Sequence, residues 1–289
     1  MSQHTDTHFR AALITGASTG IGAACALDLD RRGFTVFAGV RREADGERLK
    51  HKASQRLQPV LIDVTDHGSV RSAAEAVGAA VDQAGLAGLV NNAGILVSGP
   101  LELVPIDQFR RQLEVNVIGQ LAVTQALLPL LRAGRGRIVN MGSISGRIAP
   151  PYFGPYAASK FAMEALTDAL RLELRKSGIR VSIVEPDNVA TPIWDKLQAA
   201  ADEVDGGLAS RTGPLYDDDL LLMRKASYRM GRTGMAVEHV VRAVRHALCA
   251  KRPKTRYPVG FRTKLGIWAL KHLPDRVRDW FVLRQLGMK

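Results

Sequence analysis

The strongest constraint on the fold is an alternation. Short runs of Val, Ile and Leu recur along the chain at Ala11–Thr15, Thr35–Val40, Val60–Asp63, Leu89–Asn91, Arg137–Met141, Arg180–Glu185 and Arg256–Val259. Most are continuous apolar stretches without apolar–polar alternation, the pattern of strands buried on both faces of a parallel sheet. Between them lie longer segments with apolar residues three and four apart, at Ala23–Arg32, Val70–Ala84, Ile106–Arg132, Tyr156–Ser177 and about Ala236 to Lys251, the spacing of amphipathic helices. Repeated strand–helix alternation predicts a single α/β, Rossmann-type doubly wound parallel sheet with helices on both faces. The pattern lapses over about 192–234, which reads as a substrate lid, and residues 261–289 read as a helical extension of the same domain. Residues 1–9 are polar and read as a disordered start, leaving 10–260 as the main domain.

Composition narrows the function classes. The chain has 289 residues and a formal net charge of +12, which favours anionic partners. Residues 261–289 hold seven Lys/Arg against two Asp/Glu, with Trp268, Trp280 and Phe281 among them. Such a basic amphipathic tail suits packing beside a pocket, a subunit contact, or a peripheral membrane contact as a secondary role. No nucleic-acid module accompanies the charge, so no nucleic-acid partner is expected. Two cysteines, no secretory leader and no stretch of about 18 uncharged apolar residues suggest a cytoplasmic protein. The histidines show no metal-ligand spacing, and no metal is expected.

Thr15-Gly16-Ala17-Ser18-Thr19-Gly20-Ile21-Gly22 links the first strand to the first helix. Gly16 permits a tight turn, Gly20 lets a pyrophosphate approach the backbone, and Gly22 lets the helix pack on the sheet. The free N–H groups of the helix start favour anionic phosphates. This segment therefore predicts dinucleotide binding through Gly16, Ser18, Thr19, Gly20, Ile21 and Gly22. The second strand ends in Val40-Arg41-Arg42 with no Asp or Glu. A guanidinium suits a 2′-phosphate, so NADP(H) is preferred and NAD(H) is the alternative. Asp63 reads either as an acceptor for the adenine amino group or as a helix cap.

Tyr156 and Lys160 stand four apart on a helix and share a face. An ammonium beside a phenol favours the phenolate, which makes the pair an acid–base device. Ser143 follows a core strand, at the end of the sheet where open α/β folds bind ligands. Together with Asn91-Asn92-Ala93-Gly94 and Asn116, these residues resemble the classical short-chain dehydrogenase/reductases from about Ala11 to Val259, and the long end segment is similar to that of hydroxysteroid and retinol dehydrogenase-like members.

That resemblance implies an NAD(P)-dependent alcohol dehydrogenase or carbonyl reductase acting on a hydrophobic substrate. Tyr156 would exchange the proton. Ser143 would bond the reacting oxygen, and Lys160 would hold the nicotinamide ribose. Asn116 would hold a water leading to Lys160. Asn91, Ala93 and Gly94 would steady the central strand and touch the cofactor. Pro186, Val189 and Thr191 would lie at the nicotinamide, Thr191 on its carboxamide. The family's usual Pro-Gly after the sixth strand is Pro186-Asp187 in this chain. The helices at 106–132 and 156–177 would build a homodimer or homotetramer. The alternative is a cofactor-binding regulator on the same fold without turnover.

Overall fold

The computed structural model describes residues 10–195, 197, 215–260 and 273–288. Seven strands form one parallel sheet: β1 (Ala11–Ile14), β2 (Thr35–Val40), β3 (Leu57–Leu61), β4 (Gly88–Asn91), β5 (Arg137–Met141), β6 (Arg180–Pro186) and β7 (Arg256–Val259), in spatial order β3-β2-β1-β4-β5-β6-β7. The order reverses between β1 and β4, which opens a crevice at the carboxyl ends of the strands.

The helices are α1 (Gly20–Arg31), α2 (Glu43–Lys50), α3 (His67–Val81), α4 (Ile106–Leu113), α5 (Gly119–Ala133), α6 (Gly154–Glu173), α7 (Asp217–Thr233), α8 (Glu238–Cys249) and α9 (Asp275–Leu286). Side-chain alternation along the strands builds a core on each face. Ala12, Ile14, Val90, Val139 and Val184 pack against Leu29 of α1 and Val240, Val244 and Leu248 of α8. Leu13, Leu89, Ile138 and Val181 pack against Val70 and Val77 of α3 and Val123, Leu127 and Leu131 of α5. A third, smaller cluster joins Phe153, Leu197, Met223 and Met288, with Leu283 and Leu286 of α9 leaning on it.

The structure departs from the sequence expectation in several places. β3 begins at Leu57, three residues earlier than expected, and carries Pro59; it is an edge strand, where a missing backbone donor is tolerated. Helix α2 was not foreseen, because its eight residues place no apolar periodicity on view. Acidic Glu43 and Asp45 at its start and basic Arg48 and Lys50 at its end suit its dipole instead. The expected continuous helix over 106–132 is interrupted by a π-helical turn, Glu114–Ile118.

The stretch Ile106–Ala133 is also long and apolar enough to cross a membrane, with a mean hydropathy of 1.3, which the sequence reading did not anticipate. Its apolar face is the fully buried Val123, Leu127 and Leu131 against the sheet, so its hydrophobicity is that of a core helix. In the tail, Pro274 immediately precedes α9 and Asp275 occupies its first turn. The N-terminal segment 1–9, much of the lid (196 and 198–214) and the first half of the tail (261–272) lie outside the described residues.

Candidate active site

The loops after β1, β4, β5 and β6 meet at one cleft of about 1720 Å³. At its floor the glycine loop is built for close backbone approach. Gly16 has φ of 65°, and a Cβ there would meet Ala93 Cα at 2.7 Å. A Cβ on Gly22 would meet the Gly16 carbonyl oxygen at 2.3 Å and Asn92 Nδ2 at 2.5 Å. Thr15 and Asn92 tie the loop to the end of β4: Thr15 Oγ1 accepts from the backbone N–H groups of Asn92 and Ala93, each at 2.9 Å, and Asn92 Nδ2 donates to the Thr15 carbonyl at 2.9 Å. Among the described residues no side chain caps the start of α1, and its first turn has no acidic residue. The first N–H groups of α1 are therefore suited to bind an anion. A dinucleotide fits this cradle on that ground.

Ser18, Thr19, Gly20, Ile21, Ala93, Gly94, Pro186, Val189 and Thr191 all line the cleft, as expected. Thr191 lies against the glycine loop, since a Cβ on Gly20 would stand 3.5 Å from it. Gly22, also expected to bind the dinucleotide, is set back from the cleft and serves the close packing of α1 on the loop. Asn91 does not line the cleft. Its Nδ2 donates to Thr124 Oγ1 at 2.8 Å and to Asn140 Oδ1 at 2.9 Å inside the sheet. It steadies the central strand, and its neighbours Asn92, Ala93 and Gly94 line the cleft.

Arg41, Arg42 and Asp63 also line the cleft. Arg42 forks onto Asp45, Nε to Oδ2 at 2.9 Å and a terminal nitrogen to Oδ1 at 3.1 Å, an interaction that holds the Asp45 carboxyl below its usual range. Arg41 makes no such fork among the described residues. The capping alternative for Asp63 is not realised. Asp66 caps α3 by accepting from Gly68 and Ser69, while Asp63 Oδ1 accepts from the backbone and hydroxyl of Thr65 at 3.0 and 2.8 Å. Those bonds lower the Asp63 carboxyl, with Arg41 and Arg111 adding to them. Arg111 is a cleft residue that the sequence reading missed.

The reaction centre stands where α6 passes the end of β5. Tyr156 and Lys160 are one turn apart, with Lys160 Nζ 5.5 Å from the Tyr156 ring centroid. Ser143 hydrogen-bonds the phenol, which favours ionisation, against the larger effect of enclosure, which pushes the phenol up. Ser143 Oγ also accepts from the backbone N–H of Ser145 at 3.1 Å. Lys160 is buried and donates from Nζ to the Met141 carbonyl at 2.7 Å. Burial brings its ammonium down to about 8, while the nearby Glu164 works to raise it.

Asn116 does not reach the cleft. It sits in the π-helical turn, donating to the Ile95 carbonyl at 3.0 Å and to Ser159 Oγ at 3.1 Å and accepting from Ile95 N–H at 2.8 Å. Its amide is committed to the loop that walls the cleft. Gln112, four residues earlier, does the same work, accepting from Val97 N–H at 2.6 Å and donating to the Ile95 carbonyl at 2.9 Å. Asp187, in the position where the family usually has Gly, has no positive φ, so the turn accommodates a side chain without strain. Its Oδ1 accepts from the Asn188 N–H at 2.8 Å.

The outer part of the cleft is apolar, with Leu96, Phe153, Trp194, Leu197, Leu220, Met223 and Leu286 along it. Tyr152 closes one side. It holds φ of 65°, and its hydroxyl donates to Asp219 of α7 at 2.6 Å. Neither Tyr152 nor Leu286 was singled out from sequence; the Pro150-Pro151 pair before Tyr152 was the available sign of an unusual turn.

A doubly wound sheet whose glycine cradle opens beside a Ser–Tyr–Lys cluster defines a nicotinamide-dinucleotide oxidoreductase. Comparison with known proteins gives its kinship. The short chain dehydrogenase family model matches residues 10–202. Human retinol dehydrogenase 5 is 40% identical over 278 residues, covering 92% of this chain and 87% of the relative. Bovine 17-beta-hydroxysteroid dehydrogenase type 6 is 38% identical over 279 residues, covering 94% and 87%. A crystal structure of a short chain dehydrogenase from Burkholderia cenocepacia in complex with NADP superimposes with a TM-score of 0.71 at 28% identity, over 98% of this chain and 99% of that one. The chain belongs to the short-chain dehydrogenase family.

Proposed function

We propose that this enzyme interconverts a hydrophobic primary or secondary alcohol with its aldehyde or ketone, the substrate being steroid- or retinoid-like or aliphatic, and that it prefers NADP(H) to NAD(H). The observation that carries the substrate class is the apolar outer cleft directly above Tyr156, walled by Phe153, Trp194, Met223 and Leu286. The retinol and hydroxysteroid dehydrogenases among its relatives support it.

The chain's own groups divide the chemistry as follows. Tyr156 gives a proton to the carbonyl oxygen in reduction and takes it from the alcohol in oxidation. Ser143 donates to the same oxygen and fixes the carbonyl carbon toward the nicotinamide end. Lys160 holds positive charge beneath the phenol. Gly16, Ser18, Thr19, Gly20 and Ile21 hold the pyrophosphate, Asp63 the adenine, and Pro186, Val189 and Thr191 the nicotinamide. The bound dinucleotide supplies or accepts the hydride. NADP(H) preference rests on Arg41, a guanidinium lining the cleft at the end of β2, a strand that itself ends without an Asp or Glu to accept from a ribose 2′-hydroxyl.

The exposed Ile118 in the turn that leads into α5, and Phe161 and Leu172 on α6, support a homodimer or homotetramer through those helices. On α9, Leu283 and Leu286 turn to the substrate cluster while Trp280 and Phe281 are exposed. The tail thus closes the substrate pocket, with peripheral membrane contact as a secondary role. Cys25 and Cys249 are both free, which supports a reducing, cytoplasmic setting. The test is a panel of lipophilic alcohols and ketones, all-trans-retinol, androsterone and 2-decanone among them, assayed with both dinucleotides. The expected result is turnover of at least one such compound with a higher kcat/KM for the NADP(H) form. Turnover confined to small polar alcohols, or faster with NAD(H), overturns the corresponding half of the reading.

A further inference from the structure

The active cleft opens at the carboxyl ends of the strands. A second concavity, of about 770 Å³, lies at the opposite end of the sheet, where the chain enters β1 and where α1 and α8 finish. Five guanidiniums converge on it: Arg10 just before β1, Arg31 and Arg32 at the end of α1, and Arg242 and Arg245 on α8. Arg10 lies over the Phe34 ring, 4.6 Å from its centroid. Helix α1 has 12 residues and therefore spans about 18 Å. Its first N–H groups face the dinucleotide cradle and its last turn faces this concavity, so the two sites stand at opposite ends of one helix.

Crowding of like charge is unfavourable unless something answers it. Asp28 answers part of it, accepting from Arg32 Nε at 3.1 Å and from Arg245 at 3.2 Å. The carbonyl ends of α1 and α8 answer another part, each worth about half a negative charge. At the end of α8 that charge is already engaged by a further arginine, since Arg137 donates to the Ala247 and Ala250 carbonyls at 3.0 and 2.7 Å. Arg242 donates to His239 Nδ1 at 2.7 Å, a ring nitrogen and not a carboxylate. Arg10, Arg31 and Arg242 have no carboxylate partner among the described residues. The concavity has the size of a small-molecule site, and the planar fork of a guanidinium suits phosphate oxygens. Its arginines converge on one hollow and do not follow a line, as the backbone of a nucleic-acid strand would require.

We propose that this concavity is a second anion site, which takes a compact ligand bearing two or more phosphate charges. Arg10, Arg31 and Arg242 are its principal donors, and Arg32 and Arg245 are set in place by Asp28. The chemistry it recognises is a phosphomonoester or pyrophosphate group, which reaches the protein either free or on a lipid headgroup. A ligand seated there bridges α1, α8 and the entry to β1, three places that otherwise repel one another, and so stabilises the fold as it binds.

Cys249 lines the concavity and provides the reporter. Its thiol is exposed, whereas Cys25 is buried and its thiol is pushed up to about 12, so the neutral reagent iodoacetamide modifies Cys249 alone. The alkylation rate of the full chain is measured as inorganic pyrophosphate is added, against sodium chloride of equal ionic strength. Pyrophosphate should protect Cys249 with half-maximal effect at about 1 mM or below and raise Tm in parallel, with chloride doing little. The Arg31→Gln/Arg242→Gln variant alters two exposed side chains and should raise the half-maximal concentration at least about tenfold. Arg31→Gln serves alone if the pair does not fold by circular dichroism. Sedimentation with phosphatidylcholine vesicles, with and without phosphatidic acid, separates the sources. Pelleting on phosphatidic acid that the double variant loses assigns the site to a headgroup, and protection by pyrophosphate without pelleting assigns it to a free anion. Equal protection by chloride, or equal protection of wild type and variant, overturns the proposal. A single-stranded oligouridylate that protects at a lower phosphate concentration than pyrophosphate does also overturns it, in favour of a nucleic-acid surface.

Discussion

The two walls of the cleft are made of different material. On the dinucleotide side the backbone itself is the surface. Gly16 and Gly22 bring main chain within distances that no Cβ could occupy, and Thr15 and Asn92 stitch the loop to β4. Behind this wall lie the two large cores that sandwich the sheet. On the substrate side the surface is side chain. Phe153, Leu197, Met223 and Met288 form a small separate cluster, with α9 leaning on it. A backbone surface can serve only one ligand shape, and changing it disturbs the fold. A side-chain surface can be recut residue by residue with little cost to stability. The difference teaches that cofactor recognition is part of folding in this chain, whereas substrate recognition is an addition to it.

The largest effect should fall at the seam between the walls. Tyr156→Phe removes one oxygen and is expected to lower turnover by about 10²- to 10⁴-fold, with dinucleotide affinity unchanged in a fluorescence titration; comparable turnover would show that the proton comes from elsewhere. Next, Arg41→Asp should weaken NADPH by about tenfold to a hundredfold, the worth of a hydrogen bond to a charged group, while NADH holds or improves. Equal losses for both dinucleotides would remove Arg41 from phosphate recognition. Gly22→Ala tests the backbone wall. Its methyl would strike the Gly16 carbonyl, and overpacking of this kind costs about 1–3 kcal/mol. Urea unfolding and dinucleotide affinity should worsen together, and a stable variant that lost only affinity would uncouple cofactor binding from folding. The smallest effect belongs to the side-chain wall. Leu286→Ala should raise KM for a lipophilic substrate severalfold yet cost under about 1 kcal/mol of stability. A large loss of stability would mean that the tail is part of the main core.

The same division decides what could be read from sequence. The glycine loop, Ser143, Tyr156 and Lys160 were legible because each lies within a short segment whose spacing carries its meaning. Strand–helix alternation likewise gave the doubly wound sheet. The side-chain partners of Asn91 and Asn116 could not be read, since motif order does not say which way a side chain turns. The basic concavity was invisible. Its arginines come from three separate parts of the chain, and each alone is an ordinary charged residue. The start of β3 was obscured by Pro59, a residue that argues against a strand everywhere except at an edge. Leu286 was hidden for another reason: the amphipathic tail offered three docking sites, and only packing chooses among them.

The π-helical turn at Glu114–Ile118 has a consequence for how this fold tolerates change in length. Such a turn holds one residue more than a regular α-helical turn. Deleting a single residue there would leave a straighter, fully regular helix and would remove no catalytic group. It would also rotate everything on its far side by about 100°. Gln112 would swing away from Ile95 and Val97, and the segment that walls the cleft would lose one of the two amides that hold it. The extra residue works as a phase setting between α4 and α5. Local regularity and a correctly aimed amide are incompatible at this point, so natural variation in the length of this chain should fall in its loops and spare this helix.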